Sequence, residues 1–442
     1  MTLALLLYGA AVLAVGAAAA RTSSRDLPAF LVGDRSFGAG AAWAALSSTT
    51  IGGSTTLVLA ALVARAGLPA LWLDLSGALG LAGLGLLLAR RIRATGAVTI
   101  AEVIGRHYGP DVRRLAAALV VLAEILWFAL LAEATTAVLT AATPWEPRRV
   151  LVLTTLVFVA YTLLGGQRAV VRTDVLQFAL MATALLGVAL PLAVRSLART
   201  GAPAALLVFP FGPRLGPADA AALLVLVGLP HAVGSDVWSK LLSARDETAA
   251  RRAALGAAFS KLAFGLATAT IALAGIGLGL PGGAELFPKT VVALAGENLA
   301  PLLLVALVAT MQSSSDSVLL SAAAATVHDI LPPRYGTPGR ARLFVALYGA
   351  LGLGVAIVEP DILETFRLGY TLFASGLILP TLLAFVPGLH VPRGFAAAAM
   401  LAGAVAALAE RFLRVTGVDP VLAGTGANAA VLIAGLLVRR RR

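Results

Sequence analysis

The chain has 442 residues, of which 59% are hydrophobic and 13% charged, and a mean hydropathy of +0.93, which excludes a water-soluble globular domain. Its net charge of +12 does not point to nucleic acid, because the basic residues fall in short loops between apolar runs and no aromatic-basic patch occurs. With no cysteine, disulfides, thiolate metal sites and thiol catalysis are excluded, and four histidines far apart in sequence make no metal site.

Hydropathy predicts an all-α polytopic membrane protein with about 13 transmembrane helices. They fall at about 2–20, 38–64, 68–89, 115–142, 150–164, 173–194, 219–239, 253–280, 298–327, 343–358, 362–386, 394–413 and 420–438. In the first, Arg21 follows the apolar stretch instead of preceding it, which favours a retained helix with the N-terminus outside. The small-residue run Ala17–Ala20 keeps a cleaved signal as the other reading. With the C-terminus in the cytoplasm, inside segments hold 23 of the 34 Lys and Arg and outside segments hold 9, as the positive-inside rule requires.

The second span is interrupted by Ile51-Gly52-Gly53-Ser54-Thr55-Thr56, and the seventh by Gly228-Leu229-Pro230-His231 and Gly234. Backbone groups freed in a membrane need a cavity or a ligand. Five spans separate the two breaks, so their helices run in opposite directions, as in two inverted five-helix repeats over 38–194 and 219–387. The remainder is an extra helix and cytoplasmic loop at 1–37, an extracellular connector at 195–218 and two C-terminal helices at 388–442.

In the fourth span Glu124 shares a helical face with Trp127, Phe128 and Leu131, and a carboxylate beside aromatics suits a cationic or amine-bearing group. Glu133 lies half a turn out of phase with Glu124. A protonated glutamate bonded between helices is the alternative for Glu124. Thr173-Asp174 opens the sixth span, where the aspartate reads equally as a helix cap. His231 and Asp236 flank the second break, and His231 reads as a ligand, a proton carrier or a packing residue. Lys261 reads as a side chain that snorkels to the surface, and Arg367 either as one that does the same or as a partner for a substrate carboxylate or an outer-gate acid. The ninth span carries Ser313-Ser314-Ser315-Asp316-Ser317, four hydroxyls and a carboxylate at a depth where water is scarce, and a bound cation satisfies them. Serine bonds to carbonyls four residues back are the competing account, but they leave Asp316 unexplained.

Two segments carry a family resemblance. One is Tyr161-Thr162-Leu163-Leu164-Gly165-Gly166-Gln167-Arg168-Ala169-Val170-Val171-Arg172-Thr173-Asp174-Val175-Leu176-Gln177, and the other runs from Ser313 through Asp316-Ser317 to His328-Asp329-Ile330. Together they resemble the sodium/solute symporter family over roughly residues 30–387, helped by Asp236 to Asp246 after the second break. The resemblance implies a LeuT-type fold, alternating access and a sodium site between the first and eighth core helices, which are spans two and nine. It places that Na+ on backbone oxygens of Ser48, Ile51 and Thr310 and the hydroxyls of Ser313 and Ser314, oxygen ligands that suit a hard cation. A possible second Na+ site, seen in some members, maps to Asp174 with Asp316 and Ser317.

Several members carry an acid or amide where this chain has Thr50, and Ile51-Gly52-Gly53 is more similar to the glycine-rich helix of the choline-transporter branch, which argues against a proline or sugar solute. The solute pocket is expected between the breaks and spans four and eleven, using Gly52, Gly53, Ser54, Thr55, Glu124, Trp127, Phe128, His231, Ser235 and Tyr370. The expected function is a sodium-coupled symporter importing a small organic solute of amino-acid, amine or carboxylate type, multi-pass in the inner (plasma) membrane and working as a monomer. Its expected partners are the solute, Na+ and the lipid bilayer, with no nucleic acid. A proton-coupled transporter of the same fold and a solute sensor without transport are the rivals. An enzyme is not expected, because no nucleophile-base pair or metal-ligand cluster has the needed spacing.

Overall fold

The computed structural model describes residues 2–21, 26–141, 143–359 and 361–440; Arg25, Arg441 and Arg442, used above to orient the chain, lie outside the described residues. The chain runs through α1 (Thr2–Arg21), α2 (Ala39–Thr50), α3 (Ser54–Ala66), α4 (Leu68–Ala94), α5 (Ile100–Tyr108), α6 (Pro110–Thr140) and α7 (Pro147–Thr200). It continues through α8 (Pro217–Ser243), α9 (Glu247–Gly277), α10 (Leu286–Ile330), α11 (Pro338–Val358), α12 (Ile362–Leu383), α13 (Arg393–Leu413) and α14 (Pro420–Val438). Among the described residues the only bridge pairings are Phe37 with Ala244 and Gly212 with Leu215, so the fold is all-α.

Among the described residues, ten helices are long and apolar enough to cross a membrane, or eleven when α2 and α3, bent by 54°, count as one span. The sequence reading of thirteen also counts α1 and takes the parts of α7 on either side of Gly166 as two spans. α7 is 54 residues, roughly 80 Å at about 1.5 Å per residue, against a bilayer core of about 30 Å. Gly166 bends it, with φ 59° and ψ −167°, a left-handed backbone that favours glycine. A Cβ there would lie 2.6 Å from Phe30, so the helix from Leu27 to Val32 packs into the bend. The expected loop at 165–172 is therefore helical, and Asp174 sits inside α7 instead of capping a new helix. Gly296, with φ 64°, divides α10 in the same way.

Both sequence breaks are real. α2 ends where Ile51 leaves helical geometry at φ −107° and ψ 62°, and helix resumes at Ser54. α8 is split by an extended Gly234, at φ −60° and ψ 140°, between Leu229–Val233 and Ser235–Ser243. Capping fixes neighbouring entries: Thr99 accepts from Glu102 N to start α5, and Asp246 accepts from Ala249 N to start α9. The most enclosed span is α6, with 78% of its apolar window buried against 28% in α7, and it packs on α10, α12 and α11. On the other side, α9 packs on α2 and α4. α1 is pinned from outside by Tyr8, whose hydroxyl donates to Gln312 Oε1 of α10 at 2.7 Å and accepts from Gln177 Nε2 of α7 at 2.8 Å.

Candidate functional site

The two breaks meet around an internal cavity of about 50 Å³. Thr49, Thr50, Gly52, Gly53 and Ser54 border it from the first break, and Pro230, His231, Asp236 and Val237 from the second. α6 adds Trp127, Leu130 and Leu131, α10 adds Ser314 and Val318, and α12 adds Tyr370. The Trp127 and Tyr370 rings stand 5.0 Å apart, and the His231 ring stacks on Tyr370 at 6.3 Å.

One wall of this cavity is rich in oxygen. The end of α2 faces α10, with Ser48 Oγ 2.6 Å from Ser313 Oγ. Ser314 Oγ donates to Thr49 O at 2.9 Å and to Thr310 O at 3.2 Å. Ser48, Ile51, Thr310 and Ser313 are fully buried, and Ser314 nearly so. A hydroxyl keeps acceptor lone pairs while it donates, so this cluster has the donor set a hard cation takes. The approach is close because Gly52 has no side chain: a Cβ there would sit 2.6 Å from Ser314 Oγ.

Four residues along α10, Ser317 Oγ donates to Ser313 O and lies 3.1 Å from Thr49 Oγ1. Asp316 Oδ1 accepts from Thr162 at 2.8 Å, while its Oδ2 is buried with no hydrogen-bond partner. Asp174 Oδ2 is taken by the Lys240 ammonium at 2.7 Å, both side chains being buried, and Asp174 Oδ1 has no hydrogen-bond partner.

Lys261 does not snorkel. Its ammonium lies buried beside the first break, 3.0 Å from Asp74 Oδ1, and donates to Thr50 O at 2.8 Å and Thr55 Oγ1 at 2.6 Å. Thr55 Oγ1 in turn donates to Asp74 at 3.1 Å. A carbonyl freed by the helix break, a hydroxyl and a carboxylate together surround this tethered cation. Arg367, by contrast, pairs at the surface with Asp419 at 3.1 Å.

Residues 30–204 match the Sodium:solute symporter family. The chain has a fold of LeuT type. Its backbone is similar to that of a Na+-coupled sialic acid symporter in a substrate-bound outward-open state, with TM-score 0.83 and 19% identity, covering 100% of this chain and 98% of that one. It is also similar to MHP1, a nucleobase-cation-symport-1 family transporter, in a closed conformation with bromovinylhydantoin bound (TM-score 0.62, 15% identity, 92% and 93% covered). A third similar structure is MhsT in complex with L-phenylalanine (TM-score 0.60, 15% identity, 90% and 97% covered). No curated protein matches the chain in sequence.

Within this LeuT-type fold, six of the ten residues expected around a solute line the cavity: Gly52, Gly53, Ser54, Trp127, His231 and Tyr370. The other four lie elsewhere. Thr55 is engaged with Lys261, and Ser235 borders a smaller pocket with Thr99, Gln167 and Ser239. Phe128 packs on α11, where a Cβ at Gly352 would lie 2.5 Å from its ring. Glu124 is fully buried and does not line the cavity. Asp236, absent from that set, does line it, and the signal was its place two residues after Gly234.

Two further regions are rich in polar and charged side chains. One is a vestibule of about 450 Å³ bordered by Glu133, Thr136, Thr140, Arg148 and Glu285. At the end carrying the basic loops, α5 is latched to the end of α10. His328 Nε2 lies 2.9 Å from Glu102, Thr99 donates to Asp329 at 2.7 Å, and Arg113 pairs with Asp329 at 2.7 Å. Burial pushes the Glu102 carboxyl up, but His328, the Val98 N–H and Arg106 outweigh it and hold the group down at about 2.

Proposed function

We propose that the chain is a sodium-coupled symporter that imports a small organic solute by alternating access. The observation that carries this reading is the meeting of the Ser48–Ile51 end of α2 with Ser313 and Ser314 at the wall of the central cavity. A broken helix frees carbonyls, an unbroken one supplies hydroxyls, and a cation held between them ties the two helices together. Sodium on Ser48, Ile51, Thr310, Ser313 and Ser314 then raises solute affinity, and by linkage the solute raises sodium affinity equally. The N-terminus is outside, the C-terminus is in the cytoplasm, and the membrane is the plasma membrane. The solute is of amino-acid, amine or carboxylate type, and it contacts the six cavity residues named above.

Asp174, Asp316 and Ser317 remain a candidate second sodium site, supported by the unpartnered Asp174 Oδ1 and Asp316 Oδ2. Those same oxygens favour the second reading, in which a proton replaces sodium. Uptake into vesicles at fixed pH, with sodium replaced by potassium, separates the two: sodium coupling predicts loss of concentrative uptake, and proton coupling predicts none. Ser314→Ala should weaken sodium activation while the protein stays folded, and unchanged sodium dependence in that variant would sink the site.

A further inference from the structure

We infer that the group recognised in the central cavity is a protonated amine, held by the Asp236 carboxylate, so that the solute is an organic cation and not a carboxylate. The inference rests on the symporter reading and narrows its solute class. Among the described cavity-lining residues Asp236 is the one carboxylate, and no Lys or Arg joins it. The two buried ammonium groups of the neighbourhood are already committed, Lys261 to Asp74, Thr50 O and Thr55, and Lys240 to Asp174.

A helix N-terminus at the second break would ordinarily favour an anion. Here Ser235–Ser243 begins with Asp236 in its first turn, so the protein's own carboxylate occupies that position. A solute carboxylate would meet Asp236 with the buried Glu124 also near it. Asp236 is only half-buried because it opens on the cavity, and there a cation can reach it.

The rest of the wall agrees in sign. His231 Nδ1 is 2.8 Å from Val227 O. A carbonyl only accepts, so Nδ1 carries the proton, and in the neutral ring Nε2 presents a lone pair. Trp127 and Tyr370 supply aromatic faces, whose negative quadrupole attracts an ammonium. An ammonium group is a donor and a cation, and it satisfies the carboxylate and the ring faces together. A carboxylate satisfies neither.

The test compares n-propylammonium with propionate, probes of equal chain length and opposite charge, by thermal shift of the purified full chain in NaCl and in KCl. Propylammonium should stabilise in NaCl and propionate should not. Asp236→Asn should weaken the propylammonium effect by at least about thirtyfold in midpoint concentration, and the stabilisation by NaCl over KCl should survive. Stabilisation by propionate, by neither probe, or by propylammonium equally in wild type and Asp236→Asn would each overturn the inference. The comparison of the two probes on the wild type decides even if the variant does not fold. Loss of the NaCl shift itself counts against sodium coupling alone, because the probes can still be ranked in either salt.

Discussion

Gly52→Ala tests the geometry of the cation site through a residue with no side chain of its own. The new Cβ would sit 2.6 Å from Ser314 Oγ and 3.2 Å from a Leu131 methyl. Ordinary contact begins near 3.4 Å, so Ser314 Oγ has to retreat by roughly 0.8 Å, away from the oxygens of Thr49 and Thr310 that hold it. Metal sites tolerate ligand displacements of only about 0.2 Å, and disturbing the support of a ligand costs about 10- to 100-fold in affinity. Sodium affinity should fall by that factor. The overpacking itself should cost about 1–3 kcal/mol, which a natural domain survives.

The control is Gly53→Ala, whose Cβ meets Ala134 at 3.1 Å and Met311 Sδ at 3.5 Å but nothing of Ser314. Thermal stability of both variants is titrated with NaCl replacing KCl at constant ionic strength and without solute, so that only cation binding is read. An unchanged sodium midpoint in folded Gly52→Ala, or an equal loss in Gly53→Ala, refutes the reasoning.

Lys261→Met leaves the Asp74 carboxylate buried and unpaired, which should cost about 3–5 kcal/mol and appear as a large fall in Tm; adding Asp74→Asn should restore most of it. Gly166→Ala forces a left-handed residue and a clash with Phe30 at 2.6 Å, so it should destabilise by more than about 1 kcal/mol in the same assay. Glu102 has a folded-state pKa depressed to about 2, so its stabilisation is complete above the ordinary carboxylate value and is lost as pH falls through the folded one. The Tm gap between wild type and Glu102→Gln should therefore be full at pH 7 and close as pH falls from the ordinary carboxylate range toward about 2.

The breaks were legible because glycine and proline disturb a helix through local chemistry, as Gly52-Gly53 and Gly234 do here. The polar run at Ser313 and Ser314 stands out because polar groups at mid-span demand partners, and the family resemblance pointed to the Ser48–Ile51 segment that the structure brings against it. The lysines were not. The length of helix between Lys261 and the basic loop argued for snorkelling, whereas its partner Asp74 lies in a different helix and is brought near only by the packing of α9 on α4. Lys240 and Asp174 meet in the same non-local way. Helical phase puts Glu124, Trp127 and Phe128 on one face, but the neighbours of α6 decide which of them opens on a cavity: Trp127 does, Phe128 meets α11, and Glu124 stays enclosed.

The anchoring of α1 by Tyr8 has a practical use. Because Tyr8 joins Gln312 of α10 and Gln177 of α7, α1 should move as one body with those two helices. Leu6 is exposed on α1 and Leu401 on α13, and the chain has no native thiol to compete with an introduced one. A pair of nitroxide labels at those two positions therefore forms a molecular ruler, and the distance distribution between them, read with and without sodium, would record whether the peripheral helices shift against the core.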